Sequence, residues 1–181
     1  MSQQFYDDCS AGDLGAVKKH VADTHPNLAR GLCLAAQEGH SDVVTYLFAQ
    51  GAGENYEDQE LIKALYLVSQ NGHAEVVRLL LDHNVPVNAG AYFGRTALHA
   101  AAIHGHVDII QRLRAAGADR DAQDDDGATP LSEAVLNRQY AAARTLVAAG
   151  ANVNLKARDG SSPLSMAIER DDQDMIALLN R

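Results

Sequence analysis

The chain repeats itself every 33 residues, and this period constrains its fold more than any other feature. Three similar segments follow one another at that spacing: "AAQEGHSDVVTYL" (35–47), "VSQNGHAEVVRLL" (68–80) and "AAIHGHVDIIQRL" (101–113). A leucine recurs at the same place in five successive periods, at Leu32, Leu65, Leu98, Leu131 and Leu164. Self-similarity at a period of this size predicts a row of stacked modules instead of one closed core.

Each period has the pattern of two short helices joined by a glycine. An Ala-rich segment comes first, and Gly39, Gly72 and Gly105 predict its end in the left-handed conformation that glycine tolerates best. The following segment has the apolar spacing of an amphipathic helix, as in 76–81. Neither helix reaches the ~12–15 residues that would hold alone in water. Each therefore needs its neighbours to cover its apolar face.

The turn and first-helix motifs, "GRTALHAAA" and "GATPLSEA", followed by "AGADRDA" and "AGANVN", resemble ankyrin repeats. The resemblance implies an all-α ankyrin-repeat solenoid of helix–turn–helix units with projecting β-hairpin-like fingers. It predicts a single domain over 1–181, with the first and last units acting as caps. The expected units span about 1–24, 25–57, 58–90, 91–123, 124–156 and 157–181.

The sequence departs from the family pattern at several places. Leu28 and Leu61 replace the finger glycine, which favours helical extensions over fingers before units two and three. Arg138 and Asp171 stand in the glycine position between the helices of units five and six. The first helix of unit one carries two consecutive aspartates where units two to four are apolar, as suits a solvent-facing end.

Charge and composition narrow the class of partner. The chain has 24 acidic and 15 basic side chains and a net charge of −9, which disfavours nucleic acid and anionic membranes and suits a basic protein. Its two cysteines form no disulfide framework, no signal peptide is visible, and no apolar run approaches the ~18 residues of a membrane span. We therefore expect a cytoplasmic protein that needs no cofactor and is monomeric by itself.

Catalysis is the alternative interpretation, in the form of a metal- or thiol-dependent enzyme using His99, His104, His106 or Cys33. The repeat alignment favours structural roles, because His106 aligns with two other histidines that follow a glycine. His99 aligns with Cys33, Tyr66, Ser132 and Ser165, all able to hydrogen-bond. The run Asp124–Gly127 lacks the spacing of an EF-hand and is interpreted as a solvated finger. No metal site is predicted.

The resemblance instead implies partner binding through finger tips and the outward ends of the first helices. Carried over residue by residue, the predicted contact residues are Tyr92, Phe93, Arg95, Ile103, His104, Asp125, Asp126, Leu136, Asn137, Arg158 and Asp159. A finger before unit three would add Gln59, Glu60 and Ile62. The sequence thus predicts a non-catalytic protein–protein interaction module: an adaptor, a sequestering protein or an inhibitor of the immunity type.

Tyr92 and Phe93 are the most unusual of these residues, since adjacent aromatics on a turn expose apolar area. Three alternatives stay open at this stage. Phe93 could pack against the next finger and leave only Tyr92 exposed, or the apolar tip could join two copies of the chain. The acidic runs 54–60 and 121–126 are either a solvated surface or a rim that steers a basic partner towards the aromatics.

Overall fold

The computed structural model describes residues 2–23, 26–53 and 59–180, and in these residues it contains twelve α-helices and no β-strand. The chain divides into two compact parts, an N-terminal part (Met1–Pro86) and a C-terminal part (Val87–Arg181). The helices of the N-terminal part are α1 (Ser2–Ala11), α2 (Leu14–Asp23), α3 (Leu28–Gln37), α4 (Ser41–Ala49), α5 (Gln59–Asn71) and α6 (Ala74–Asp82). Those of the C-terminal part are α7 (Ala97–His104), α8 (Val107–Ala115), α9 (Pro130–Leu136), α10 (Tyr140–Ala148), α11 (Pro163–Glu169) and α12 (Gln173–Leu179).

In each of the two parts the helices form stacked antiparallel pairs. In the N-terminal part α3 packs between α1 and α5, while α4 contacts α2 and α6. In the C-terminal part, α9 packs between α7 and α11, and α10 between α8 and α12. Four of the five repeated leucines, Leu32, Leu65, Leu98 and Leu131, are buried, and Leu164 is half-buried. The 33-residue period therefore places equivalent side chains in the core in four repeats. The all-α fold predicted from the sequence is confirmed.

In the C-terminal part, the first helix of each pair (α7, α9 and α11) begins with a reciprocal hydrogen bond between the N-cap residue and the residue three positions later. The backbone N–H of Thr96 donates to Nδ1 of His99 at 3.2 Å. In the next two pairs the N–H of Thr129 donates to Ser132 Oγ at 2.7 Å and that of Ser162 to Ser165 Oγ at 2.8 Å. Ser132 and Ser165, two of the four residues that aligned with His99 in the sequence, therefore share its capping role.

The junctions between paired helices need a positive φ. Gly39 and Gly105 adopt φ of +84° and +74° there. Arg138 and Asp171 take the left-handed conformation at the same place, with φ of +55° and +52°. A non-glycine residue at such a φ carries a steric cost of about 1–2 kcal/mol. The junction geometry is therefore kept in α9–α10 and α11–α12 without glycine.

Replacing Gly39 with alanine is expected to lower the free energy of unfolding by about 1.5 kcal/mol, because the residue has a φ of +84°. A Cβ there would also lie 2.6 Å from Nδ1 of His73. The matched control is Gly15→Ala in helix α2, where φ is not positive. Since alanine favours helix, that change is expected to stabilise by about 0.5 kcal/mol. Urea unfolding of both variants tests this, and equal effects would contradict it.

The expected fingers are turns in the C-terminal part (Val87–Arg181), whereas in the third repeat residues 59–62 belong to helix α5. The chain has no strand at 91–95, 124–128 or 157–161. Before α5 the prediction of tip residues is wrong, because Gln59, Glu60 and Ile62 belong to the helix and Ile62 is buried. Leu61 is fully buried on the same helix, which explains why it replaces a turn glycine. Most of the acidic run 54–60 lies outside the described residues.

None of the described helices combines the length and the apolar character that a membrane crossing requires.

Candidate functional site

Three turns in the C-terminal part form a hydrogen-bonded row, which we call the turn row: residues 91–95, 124–128 and 157–161. Each turn is closed at its base by a backbone hydrogen bond of 2.8–3.0 Å between its first N–H and its last carbonyl. Adjacent turns are also joined to each other, since Asp125 N–H donates to Phe93 O and Arg158 N–H donates to Asp126 O, both at 2.9 Å. Most of the predicted contact residues lie on this connected backbone.

The first turn has a different conformation from the other two. Arg95 N–H donates to Tyr92 O at 3.0 Å, and the two central residues, Phe93 and Gly94, have φ of +54° and +72°. Positive φ at both central residues defines a type I′ turn, whose preferred residues are Asn and Gly. The other turns close one residue earlier, with Gly127 and Gly160 in the left-handed conformation. Phe93 therefore holds a backbone geometry that aromatic residues disfavour.

The aromatic side chains of the first turn face solvent. Phe93 is 76% exposed and Tyr92 is 40% exposed. The alternative in which Phe93 packs against the next turn is therefore wrong, and it is the backbone carbonyl of Phe93 that contacts Asp125. The row thus presents an apolar ring at its first turn on a hydrogen-bonded support.

The predicted helix-end residues lie at the carboxyl ends of α7 and α9. Leu136 is 44% exposed, His104 and Asn137 are exposed, and Ile103 is half-buried. The last carbonyls of these helices are bound by side chains of the following pair: Gln139 Nε2 donates to Ile103 O at 3.2 Å, and an Arg170 guanidinium N–H donates to Leu136 O at 2.7 Å. These bonds fix the helix ends relative to their neighbours.

Arg95 has a structural position that the sequence did not suggest. Its guanidinium donates to Asp124 Oδ2 at 3.1 Å and to Glu133 Oε1 at 2.6 Å, and the two carboxylate side chains are only 2% and 5% exposed. One arginine therefore neutralises two buried acids of the following pair. We therefore assign Arg95 to the support of the first turn, and since its side chain is still 31% exposed, it also remains a predicted contact residue.

The two acids respond differently to this environment. Burial raises the pKa of Asp124, but hydrogen bonds from Arg95 and from the N–H groups of Ala128 and Asp126 outweigh it and hold the pKa below its usual value. Burial dominates at Glu133 and keeps its pKa raised in spite of Arg95. Asp124 is therefore a firmly ionised anchor of its turn. The interpretation of 124–127 as a wholly solvated finger is wrong for this residue.

Three exposed acids remain on the turn row: Asp125, Asp126 and Asp159. Asp159 accepts from the N–H and the hydroxyl of Ser161 at 2.9 and 2.6 Å, and these bonds lower its pKa. Arg158 is the exposed base among them. Since Arg95 is already paired, the exposed side chains of the row carry an excess of negative charge.

The residues of the alternative interpretation, His99, His104, His106 and Cys33, lie in different environments. His99 is fully buried, accepts at Nδ1 from Thr96 and donates from Nε2 to Ala128 O at 3.0 Å. His104 is exposed, its ring centroid lies 6.2 Å from that of His106, and partial burial and His106 together lower its pKa. Cys33 is buried. No group of three or more possible metal ligands occurs in the part of the chain that the structure describes.

His40, which aligns with His106 in an earlier repeat, shows the contact made by a histidine that follows the junction glycine. His40 Nε2 donates to Ser10 O at 3.0 Å, and its ring lies against Gly12. The bond reaches the preceding helix pair, so His40 links neighbouring repeats. Gln139 makes the equivalent contact with Ile103 O.

Replacing His99 with glutamine is expected to reduce the loss of stability on acidification. Burial is the largest cause of its lowered pKa, so the folded state binds fewer protons than the unfolded state. The contribution of neutral His99 is then complete above the usual pKa of 6.5 and is lost as the pH falls below it. Urea titrations between pH 7.5 and 5 test this, and equal slopes for the two proteins would contradict it.

Three features of the site were missed by sequence reasoning. Asp124 was placed in a solvated run, and Glu133 was not singled out, although its repeat position is apolar in units two, three, four and six. Ile168 on α11 is 57% exposed, whereas the equivalent Ala102 and Val135 are buried. Comparing each repeat position across units gives the signal for Glu133, because a charge among aliphatic residues requires a partner.

Comparison with protein families gives one match: the model described as Ankyrin repeats (3 copies) fits residues 32–124 and 109–180. Together the two matches cover most of the chain. A search of curated proteins finds no match.

Proposed function

Because the chain belongs to the ankyrin repeat family, whose members are generally protein–protein interaction modules, we propose that it is a non-catalytic binding protein. Its contact surface is the turn row together with the exposed ends of α7 and α9. The excess of acidic side chains on the row, and the net charge of −9, make a protein with a basic surface the partner that fits best.

The conformation and exposure of Phe93 carry this proposal. An aromatic residue at φ of +54° costs about 1–2 kcal/mol relative to an unstrained residue, and its 76% exposure means that packing within the chain does not offset that cost. Strained residues of this kind cluster at sites where ligands bind. Aromatic side chains are also frequent energetic centres of protein interfaces. A partner that covers Phe93 supplies the missing contact.

A module of this kind acts by occupying its partner. We propose a cytoplasmic, monomeric protein that sequesters or inhibits a basic protein, in the manner of an immunity protein, with an adaptor role as the other form of the same function. In either case the first turn supplies the apolar contact and the acidic side chains accelerate the encounter.

A photocrosslinking residue incorporated at position 93 tests the proposed surface. In the native lysate it is expected to give a discrete adduct with one protein. Unlabelled chain should compete for that adduct, and the Tyr92→Ala/Phe93→Ala double variant should compete at least tenfold less well. The control is the same crosslinker at Gln111, an exposed position on helix α8.

An adduct that forms equally from both positions, or that the double variant competes as well as the unaltered chain, would rule out this surface. An adduct whose mass is that of two copies of the chain would replace the proposed function with self-association. An adduct lost at high salt supports the electrostatic part of the proposal.

A further inference from the structure

A groove of about 350 Å³ lies between the second and third turns of the row. Ala128, Ala157 and Met166 form its apolar lining, and Asp126, Arg158 and Asp159 stand around them. The two turns that line the groove are joined by the backbone bond from Arg158 N–H to Asp126 O. It therefore lies between two turns that are hydrogen-bonded to each other.

The acidic side chains around the groove are available in different ways. The carboxylate of Asp126 is exposed and makes no hydrogen bond or ion pair with any residue that the structure describes. Asp159 is held in place by Ser161 through two hydrogen bonds to one oxygen, Oδ1, which leaves the other carboxylate oxygen open. Two acids thus face one base, and Asp125 adds a further negative charge on the neighbouring part of the row.

We propose that this groove receives a lysine or arginine side chain from a basic segment of the partner. The aliphatic stem of such a side chain matches the lining of alanine and methionine, and its cationic end lies at Asp126 and Asp159. This inference rests on the proposed function and names the chemistry of the partner. Phe93 then supplies the apolar contact of the interface, and the groove reads the charge.

The position of Arg158 provides a test of the sign of the occupant's charge. For a cationic occupant Arg158 is a like charge, so Arg158→Ala should strengthen binding. For an anionic occupant the same change should weaken it. The probes are two blocked pentapeptides, pentalysine and pentaglutamate, added to the full chain at low salt while amide and Met166 methyl resonances are followed by NMR.

Pentalysine is expected to shift the resonances of the groove residues. Asp126→Asn/Asp159→Asn should weaken it at least fivefold, and Arg158→Ala should strengthen it about twofold. The matched control is Asp108→Asn/Asp174→Asn, which removes two exposed acids from α8 and α12 and changes net charge equally. It should alter affinity by less than twofold.

Equal weakening by both double variants would show that the peptide follows net charge alone, and would overturn the inference. Preferential binding of pentaglutamate that Arg158→Ala weakens would also overturn it. If the crosslink at position 93 succeeds while pentalysine avoids the groove, the proposed function stands and only the cationic occupant fails. If both fail, the turn row is not the binding surface.

Discussion

Replacing Arg95 with methionine is expected to lower the free energy of unfolding by about 3 kcal/mol. The methionine keeps much of the aliphatic volume but leaves Asp124 and Glu133 buried without a cation. Removing one partner of a buried ion pair costs more than the pair contributes, because an uncompensated charge remains in a poorly solvated place. Urea unfolding measures the loss, and hydrogen exchange of the α9 amides should place it at the pair that carries both acids.

The pH dependence of this difference gives a second check. In the unaltered chain the lowered pKa of Asp124 contributes stability that is present above its usual value of 3.8 and is lost as the pH falls further. Without Arg95 the pKa of both acids should rise. As the pH falls, the two carboxylates should therefore lose their uncompensated charge at a higher pH in the variant than in the unaltered chain. The stability gap between the two proteins should therefore narrow from pH 7 towards pH 4.

Arg158→Met is the matched control, since Arg158 is an exposed arginine on the same row. It should change the free energy of unfolding by less than about 0.5 kcal/mol. Adding Glu133→Gln to Arg95→Met should restore part of the lost stability, because one buried charge is then removed. If Arg95→Met is no more destabilising than Arg158→Met, the assignment of Arg95 to the support of the first turn is wrong.

The 33-residue period determined most of the fold because the same burial recurs in each unit. Leucine positions such as Leu65 and Leu98 could be predicted as core from spacing alone, and both are buried. Gly39 and Gly105 could be placed at junctions because few other residues accept their φ. A hydrogen-bonding role for His99 could be predicted from its alignment with cysteine, tyrosine and serine, whereas its capping geometry came from the structure. These properties depend on the backbone, which each repeat reproduces.

The site was less predictable because it depends on what differs between repeats. Arg95 was taken for a surface residue. Asp124 and Glu133 are 29 and 38 residues further along the chain, and the sequence does not show that the fold brings both carboxylates into contact with Arg95. The type I′ turn at Tyr92–Arg95 was also missed, because "YFGR" carries no asparagine before its glycine. Pairing between neighbouring units decided both features, and periodicity describes only what those units share.

Replacing Phe93 with asparagine is expected to raise the free energy of unfolding by about 1 kcal/mol while weakening partner binding about thirtyfold. Asparagine adopts positive φ more readily than other non-glycine residues, and Asn-Gly is a preferred pair for a type I′ turn. The change also removes an exposed apolar ring. The thirtyfold loss corresponds to about 2 kcal/mol, the size that marks an energetic centre of an interface.

Two further variants separate the backbone effect from the side-chain effect. Phe93→Leu keeps an apolar side chain and the unfavourable φ, so its stability should remain near that of the unaltered chain and part of its binding should persist. Phe93→Ala should lose binding without the gain in stability that asparagine provides. Stability comes from thermal and urea unfolding, and binding from competition for the adduct formed at position 93.

The opposite signs of the two effects are what distinguish a binding residue from a structural one. A residue selected for packing loses stability when it is replaced, whereas Phe93 is 76% exposed and holds a costly φ. If Phe93→Asn destabilises the chain, Phe93 is a structural contact and the strain argument fails. If it stabilises the chain and binding is unchanged, the partner contacts a different part of the molecule, and the exposed ends of α7 and α9 become the next positions for the crosslinker.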